Sequence, residues 1–261
     1  MLTMIFDTHA HYDDAAFDAD REELLGGGLQ AGGVGLVVNI GTDLKTLHQT
    51  IELTERYPYF YGALGIHPDC VDGLNEEHLP ILRQMLLEHK KMVAIGEIGL
   101  DYHGDYERDI PLQKKWFTWQ LRLARELKLP VVIHSRDAAA DTMEILKAED
   151  AGSIGGVMHC YSYSVEIARE VVKMGLYIGI GGVLTFKNGR KLKEVAAETP
   201  MERILLETDC PYLAPTPYRG QRNDSRNIAL VAQELAQIKG ITPEEVLRIT
   251  EENARRFYKL W

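Results

Sequence analysis

The chain has 261 residues, 45% of them hydrophobic and 26% charged, which is the balance of a globular protein long enough to bury one large core. Thirty-nine acidic against 29 basic side chains give a formal charge of −10, which excludes broad, non-specific attraction to nucleic acid but leaves room for a local basic site. Three cysteines, Cys70, Cys160 and Cys210, stand far apart with no Cys-x-x-Cys pair, so neither a disulfide framework nor a zinc–thiolate site is expected.

In chain order, short apolar, β-branched runs fall at 4–9, 34–40, 60–66, 92–98, 130–134, 155–159, 176–181 and 203–208. Segments with apolar residues at three- and four-residue steps separate or follow them, at 21–30, 44–56, 76–90, 110–128, 138–148, 165–174, 190–198 and 227–239. Strands apolar nearly throughout and alternating with helices predict parallel strands covered on both faces. Eight such units make an α/β fold of the (β/α)8 TIM-barrel kind the economical architecture. An additional C-terminal helix is predicted over 243–258, where Thr242 is the N-cap, Pro243 opens the helix and Glu245 completes a capping box. No linker divides the chain, so one domain spanning 1–261 is expected. No secretory leader pattern or membrane-spanning run is evident. The expectation is a soluble protein of the reducing cytoplasm, with no membrane and no obligate protein partner.

The strand ends carry the chemistry. The first ends Asp7-Thr8-His9-Ala10-His11, and strict alternation would put Asp7, His9 and His11 on one face. An isolated His-x-His pair is weak evidence for a metal. Later strands end at Glu97, His134, His159 and, after Leu205-Leu206-Glu207-Thr208, at Asp209. In a barrel all of these reach the rim where active sites lie. Imidazoles and carboxylates crowded together in this way are costly unless coordination neutralises them.

A catalytic zinc takes three protein ligands, so six fit two divalent ions better. Glu97 is expected to bridge them, with His9, His11 and Asp209 completing one ion and His134 and His159 the other. Ions about 3.5–4 Å apart hold a bridging hydroxide and polarise a phosphoryl or carbonyl oxygen. Their charge exceeds that of the two carboxylates and the hydroxide, so the site attracts an anion in spite of the acidic chain. Such ligands admit zinc, manganese or iron, and magnesium less readily.

The chain resembles the TatD-family metal-dependent deoxyribonucleases of the amidohydrolase superfamily. The resemblance rests on Phe6-Asp7-Thr8-His9-Ala10-His11, Gly65-Ile66-His67-Pro68, Ile95-Gly96-Glu97-Ile98-Gly99-Leu100-Asp101-Tyr102, His134-Ser135-Arg136-Asp137-Ala138, His159-Cys160-Tyr161, Glu207-Thr208-Asp209-Cys210-Pro211-Tyr212, and Arg219-Gly220 with Arg222-Asn223. It spans nearly the whole chain. It implies a barrel, two divalent ions on the six residues named, and hydrolysis of phosphodiester bonds in DNA, typically from the 3′ end. The pattern is departed from at His103-Gly104-Asp105, where such proteins more often carry an aromatic or aliphatic residue; this concerns the loop and not the metal set.

Other side chains are expected to complete a substrate site. His67 donates to a phosphate or a leaving oxygen, or is structural. Arg136 grips a non-bridging phosphate oxygen, or pairs with Asp137 or Asp101. Arg219 and Arg222 are further phosphate candidates, with solvent exposure as the alternative. Tyr102, Tyr161 and Tyr163 are candidates to stack on bases of a single strand, at least one of them being packing. Asp7 and Glu207 are expected to orient imidazoles. Lys187, Arg190, Lys191 and Lys193 read as a solvated helix face, and Cys160 and Cys210 as small buried residues.

The expected activity is therefore 3′-to-5′ trimming of DNA ends, with Glu97 and Asp209 as the catalytic carboxylates and Asp209 receiving the proton. Hydrolysis of a C–N or ester bond, such as an N-acyl group, a lactone or an aminoacyl-tRNA ester, is the competing enzymatic reading. Glu97, where many C–N hydrolases of this fold use a carboxylated lysine, favours the nuclease. A metal-binding scaffold without turnover is the non-enzymatic alternative.

Overall fold

A computed structural model describes residues 4–104 and 109–261. Asp105, part of the motif departure, lies outside the described residues. Eight parallel strands form one sheet in sequential order: β1 Ile5–Ala10, β2 Val34–Gly41, β3 Phe60–Leu64, β4 Met92–Asp101, β5 Val131–Arg136, β6 Gly156–Met158, β7 Tyr177–Ile180 and β8 Ile204–Leu206. The sheet curls until the segment after β8 meets β1. Asp209 N donates to His9 O at 2.9 Å and His11 N to Cys210 O at 2.8 Å. The result is the predicted (β/α)8 barrel with a further C-terminal helix.

The core has two layers. Phe6, Val38, Ile40, Ala63, Ala94, Val132, Val157 and Leu205 fill the barrel interior. A larger set, including Ile5, Leu47, Ile95, Phe117, Ile133 and Ile228, lies between barrel and helices. The predicted capping box is present, with Glu245 N reaching Thr242 Oγ1 at 3.2 Å. The helix it starts, Pro243–Tyr258, closes the end where the strands begin. Phe257 and Tyr258 join the inner layer, and the Tyr258 hydroxyl donates to Thr8 O at 2.8 Å.

Several boundaries differ from the sequence reading. The segment 21–30 is an α-turn at Arg21–Glu23, a π-helical turn at Leu24–Gly28 and a last turn at Leu29–Ala31, because Gly27 leaves helical geometry inside a Gly-Gly-Gly run. The segment 76–90 begins as a 3-10 turn, Glu76–His78, before the α-helix Leu79–Glu88 with Pro80 in its first turn. A short extra helix, Ala151–Ile154, precedes β6. β4 continues to Asp101, so Glu97 lies inside a strand and not at its end.

Two irregularities in strand pairing decide what faces the interior. Between β1 and β2, Asp7 pairs with Val37 but Ala10 with Asn39, so β1 carries one extra residue. Between β4 and β5, Ile95 pairs with Val131 but Ile98 with Ile133, again one extra. Each is a bulge, and a bulge reverses the alternation beyond it. In β4, Ala94 is interior and both Ile95 and Ile98 are exterior, so two residues between them, Gly96 and Glu97, turn inward. Gly96 has room only because it lacks a side chain: a Cβ there would lie 2.6 Å from Val132 Cβ.

Candidate metal centre

The six predicted ligand residues converge on one cavity at the rim where the strands end. His9 Nε2 lies 3.1 Å from His11 Nε2, 3.4 Å from Glu97 Oε2 and 3.5 Å from Asp209 Oδ1. His11 Nε2 is 3.4 Å from Asp209 Oδ1. On the other side, Glu97 Oε1 is 2.7 Å from His134 Nδ1 and 3.1 Å from His159 Nε2. Glu97 thus has one oxygen toward each group of histidines, which is the arrangement a bridging carboxylate requires.

Neighbouring groups fix ring orientations. His11 Nδ1 lies 3.1 Å from the Ile40 carbonyl, which only accepts, so His11 donates there and its Nε2 is left as the ligating nitrogen. Glu207 Oε1 sits 3.5 Å from His159 Nδ1 and accepts from Cys160 N at 2.5 Å. Its carboxylate occupies space left by Gly179, where a Cβ would come within 2.6 Å. Asp101 accepts from His134 Nε2 at 2.9 Å, a partner the sequence reading did not assign to this ring. Asp7 does not face the imidazoles. It faces outward by alternation with the interior Phe6, before the β1 bulge that turns His9 inward, and accepts from Thr208 N, Thr208 Oγ1, Ser225 Oγ and His9 N, pinning the ends of β1 and β8 together.

The electrostatics are those of a crowded buried cluster. Burial opposes charging of Glu97, but His159, His134 and His9 overcome it and hold the carboxyl well below its ordinary range. Burial also opposes protonation of His11 and His134. Asp209 raises the first to about 9, and Asp101 with Glu97 raises the second to about 9. His159 is raised by Glu97 and Glu207 against burial, whereas burial and His159 together lower His9. His67 is lowered to about 4, mainly by burial. Its Nδ1 accepts from Asp69 N at 3.1 Å, so a neutral His67 carries its proton on Nε2, 3.8 Å from Glu97 Oε1.

Ligating atoms in the sets His9/His11/Asp209, His9/Glu97/His159 and His67/Glu97/His134 each lie within 4.8 Å of one another. His9 Nε2 and His11 Nε2, 3.1 Å apart beside the Asp209 carboxylate, share a proton that a cation can displace. Imidazole nitrogens and carboxylate oxygens converging in this way are a donor set that fits divalent metal. The third set is weaker, because the Asp69 contact commits His67 Nε2 to carrying hydrogen.

The cavity of about 540 Å³ is also lined by Asp13, Asp14, Asp69, Asp101, Arg136 and Tyr212. Arg136 is exposed and pairs with no carboxylate among the described residues. Arg219 and Arg222 are not on this wall. Arg219 stacks on the Phe186 ring at 4.4 Å, and Arg222 is held bidentately by Asp20 at 2.6 Å over the Phe17 ring. Tyr161 is buried with its hydroxyl on Ser164 O, and Tyr163 bonds Ser135 and Ala138, so neither ring stands on the wall of this cavity. Tyr102 is tied to Asp141 Oδ2 at 2.7 Å. Tyr212, which sequence reasoning passed over, is 54% exposed on the cavity rim. Its place directly after Asp209-Cys210-Pro211 was the available signal. Of the motif departure, His103 pairs with Asp137 at 2.7 Å.

Comparison with known proteins agrees with this geometry. The family described as TatD related DNase matches residues 6–259. The chain is 46% identical over 259 residues to the uncharacterized metal-dependent hydrolase YabD of Bacillus subtilis, covering 98% of this chain and 100% of that protein. It is 34% identical over 260 residues to the 3'-5' ssDNA/RNA exonuclease TatD of Cronobacter sakazakii, covering 97% of each. The crystal structure of YjjV, a TatD homologue from Escherichia coli K12, superposes with a TM-score of 0.93 at 32% identity over the whole of both chains. With its barrel, its cluster of imidazoles and carboxylates and these relatives, the chain belongs to the TatD-related family of metal-dependent hydrolases.

Proposed function

We propose that the protein is a two-metal phosphodiesterase that trims DNA from 3′ ends, preferring single strands. The observation that carries the reading is Glu97, whose two oxygens address two groups of histidines. His9, His11 and Asp209 would hold one ion, His134 and His159 the other, with Glu97 between. Such a pair supplies Lewis-acid activation of water and of a phosphoryl oxygen.

The chain's own residues do the rest. Asp209, 19% exposed and next to the cavity, takes the proton of the attacking water. Arg136 holds a non-bridging phosphate oxygen, its guanidinium unspent on any described carboxylate. His67 acts as a neutral hydrogen-bond donor through Nε2 and not as a proton source, because burial keeps it unprotonated near neutrality. Tyr212 offers an exposed ring for stacking a base. The relative named as a single-stranded DNA and RNA exonuclease supports the substrate class.

Hydrolysis of an uncharged amide or ester has one observation in its favour. Asp13, Asp14, Asp69 and Asp101 add carboxylates to the wall and reduce the pull on anions. A panel of 5′-labelled single strands, duplexes, RNA, model phosphodiesters and acyl esters, run with zinc, manganese, magnesium or iron, separates the readings. Glu97→Ala is expected to abolish metal retention and strand shortening together. An E97A protein with full metal content and undiminished nuclease rate would sink the proposal.

A further inference from the structure

Beside the metal cavity lies a second chamber of about 230 Å³, between the turns that follow β6, β7 and β8. Its walls are mainly Tyr161, Val183, Leu192 and Leu213, and Asn188 and Lys191 stand exposed at its edge. Asp209 lines both this chamber and the metal cavity, so the two spaces are neighbours at the residue proposed to take the reaction's proton.

The chamber is rigidly built. A Cβ at Gly182 would lie 2.0 Å from Leu213 O, so the loops after β7 and β8 meet backbone to backbone, and one at Gly189 would lie 2.5 Å from Val183 O, so the loop after β7 is also folded tightly on itself. The basic run beside it is also not uniform. Arg190 pairs with Glu194 at 2.9 Å and Lys193 with Glu234 at 2.6 Å, whereas Lys191 has no carboxylate partner among the described residues. A mostly apolar slot with a carboxamide and an unspent ammonium at its edge suits a flat heteroaromatic ring attached to a phosphodiester. The apolar walls cover the ring faces, the amide of Asn188 pairs with the ring edge, and Lys191 meets the adjoining phosphate.

We infer that this chamber receives the terminal nucleobase of the strand whose phosphodiester lies at Asp209. The inference rests on the nuclease reading and deepens it. It assigns end recognition to the loops after β6, β7 and β8, and gives Lys191 a task that a solvated helix face would not have.

The test compares two single-stranded oligonucleotides of one sequence, one ending in an ordinary 3′ nucleoside and the other in an abasic tetrahydrofuran residue on the same phosphodiester. Release of the terminal unit is followed with manganese re-added to the full chain. The wild type is expected to show about tenfold higher KM for the abasic end, as loss of base contacts predicts. Val183→Trp, which fills the chamber, should bring the base-bearing end to the abasic level. Asn188→Ala, an exposed change that does not threaten folding, should reduce the difference several-fold and keeps the test decisive if V183W does not fold. Equal KM for the two ends in the wild type overturns the chamber's role while leaving the nuclease reading intact, as does discrimination that persists undiminished in N188A. Cleavage of neither oligonucleotide, with turnover of acyl esters that improves with acyl length, overturns both.

Discussion

At the scale of single residues, the candidate metal cluster holds three imidazoles, His11, His134 and His159, kept proton-loaded by carboxylates, beside His9, whose pKa burial lowers. Metal ligation needs neutral imidazole, yet His11 and His134 titrate near 9 and His159 is raised as well, by Asp209, Asp101, Glu97 and Glu207 acting against burial. Adding zinc to chelator-treated protein at pH 7.5 should therefore release protons, two or more per chain, and affinity should rise with pH toward about 9. Calorimetry in buffers of different ionisation enthalpy measures this; zero proton release would contradict it.

The same shifts set the stability of the stripped protein. A histidine raised above its unfolded value of about 6.5 contributes stability that is complete below that pH and is lost as pH rises through the folded value. Glu97 and Asp209 are lowered, so their contribution is present above about 4.5 and is lost as pH falls. Chelated protein is thus expected to weaken between pH 6.5 and about 9 while metal-loaded protein does not, a difference that urea titrations at several pH values resolve.

The arginines separate by what already holds them. Arg136→Ala should raise KM for oligonucleotides about tenfold with unchanged metal content, the loss of one charge-assisted bond. Arg222→Ala should leave KM alone and cost at most about 1 kcal/mol, since its ion pair with Asp20 is open to solvent. Both arginines were visible in the sequence as phosphate candidates. Nothing local distinguishes them, because the partner that occupies Arg222 lies some two hundred residues earlier in the chain.

At the scale of elements, apolar runs and helical periodicity were enough to find all eight strands and the capped last helix, because both signals are local. The interior parity was not readable. Counting alternate residues puts Asp7 with His9, and it puts Glu97 on the outer face with Ile95; one extra residue in each of β1 and β4 reverses both. Gly99 marks where β4 passes closest to β5: it has φ +148°, and a Cβ there would lie 1.9 Å from His134 O. Gly99→Ala should therefore destabilise the protein by about 3 kcal/mol or more and separate Glu97 from His134, lowering metal content along with the melting temperature. Phe257→Ala, in the helix that closes the opposite end, should cost about 3–5 kcal/mol without changing metal stoichiometry. Together the two variants distinguish a defect that reaches the site from one that only loosens the barrel.

At the scale of the whole molecule, an acidic chain presents a cavity in which imidazoles, carboxylates and the exposed guanidinium of Arg136 share a wall, next to a mostly apolar chamber. The residue types that follow the apolar runs were determined by the sequence itself: His9, His11, Glu97, His134, His159 and Asp209 each stand after one, and an apolar run next to a titratable group is a local fact that needs no partner strand. The barrel follows from the same runs, since fully apolar strands separated by helices have few other ways to be covered. Only the tertiary structure decided that Asp7 binds Thr208 and Ser225 and no imidazole, that Asp101 backs His134, that Arg222 is spent on Asp20, and that Tyr212 and Lys191 border open space. Each of these depends on the register between strands, or on contacts between loops, that lie far apart along the chain. A single extra residue in a strand reverses that register, and no periodicity within one segment records it.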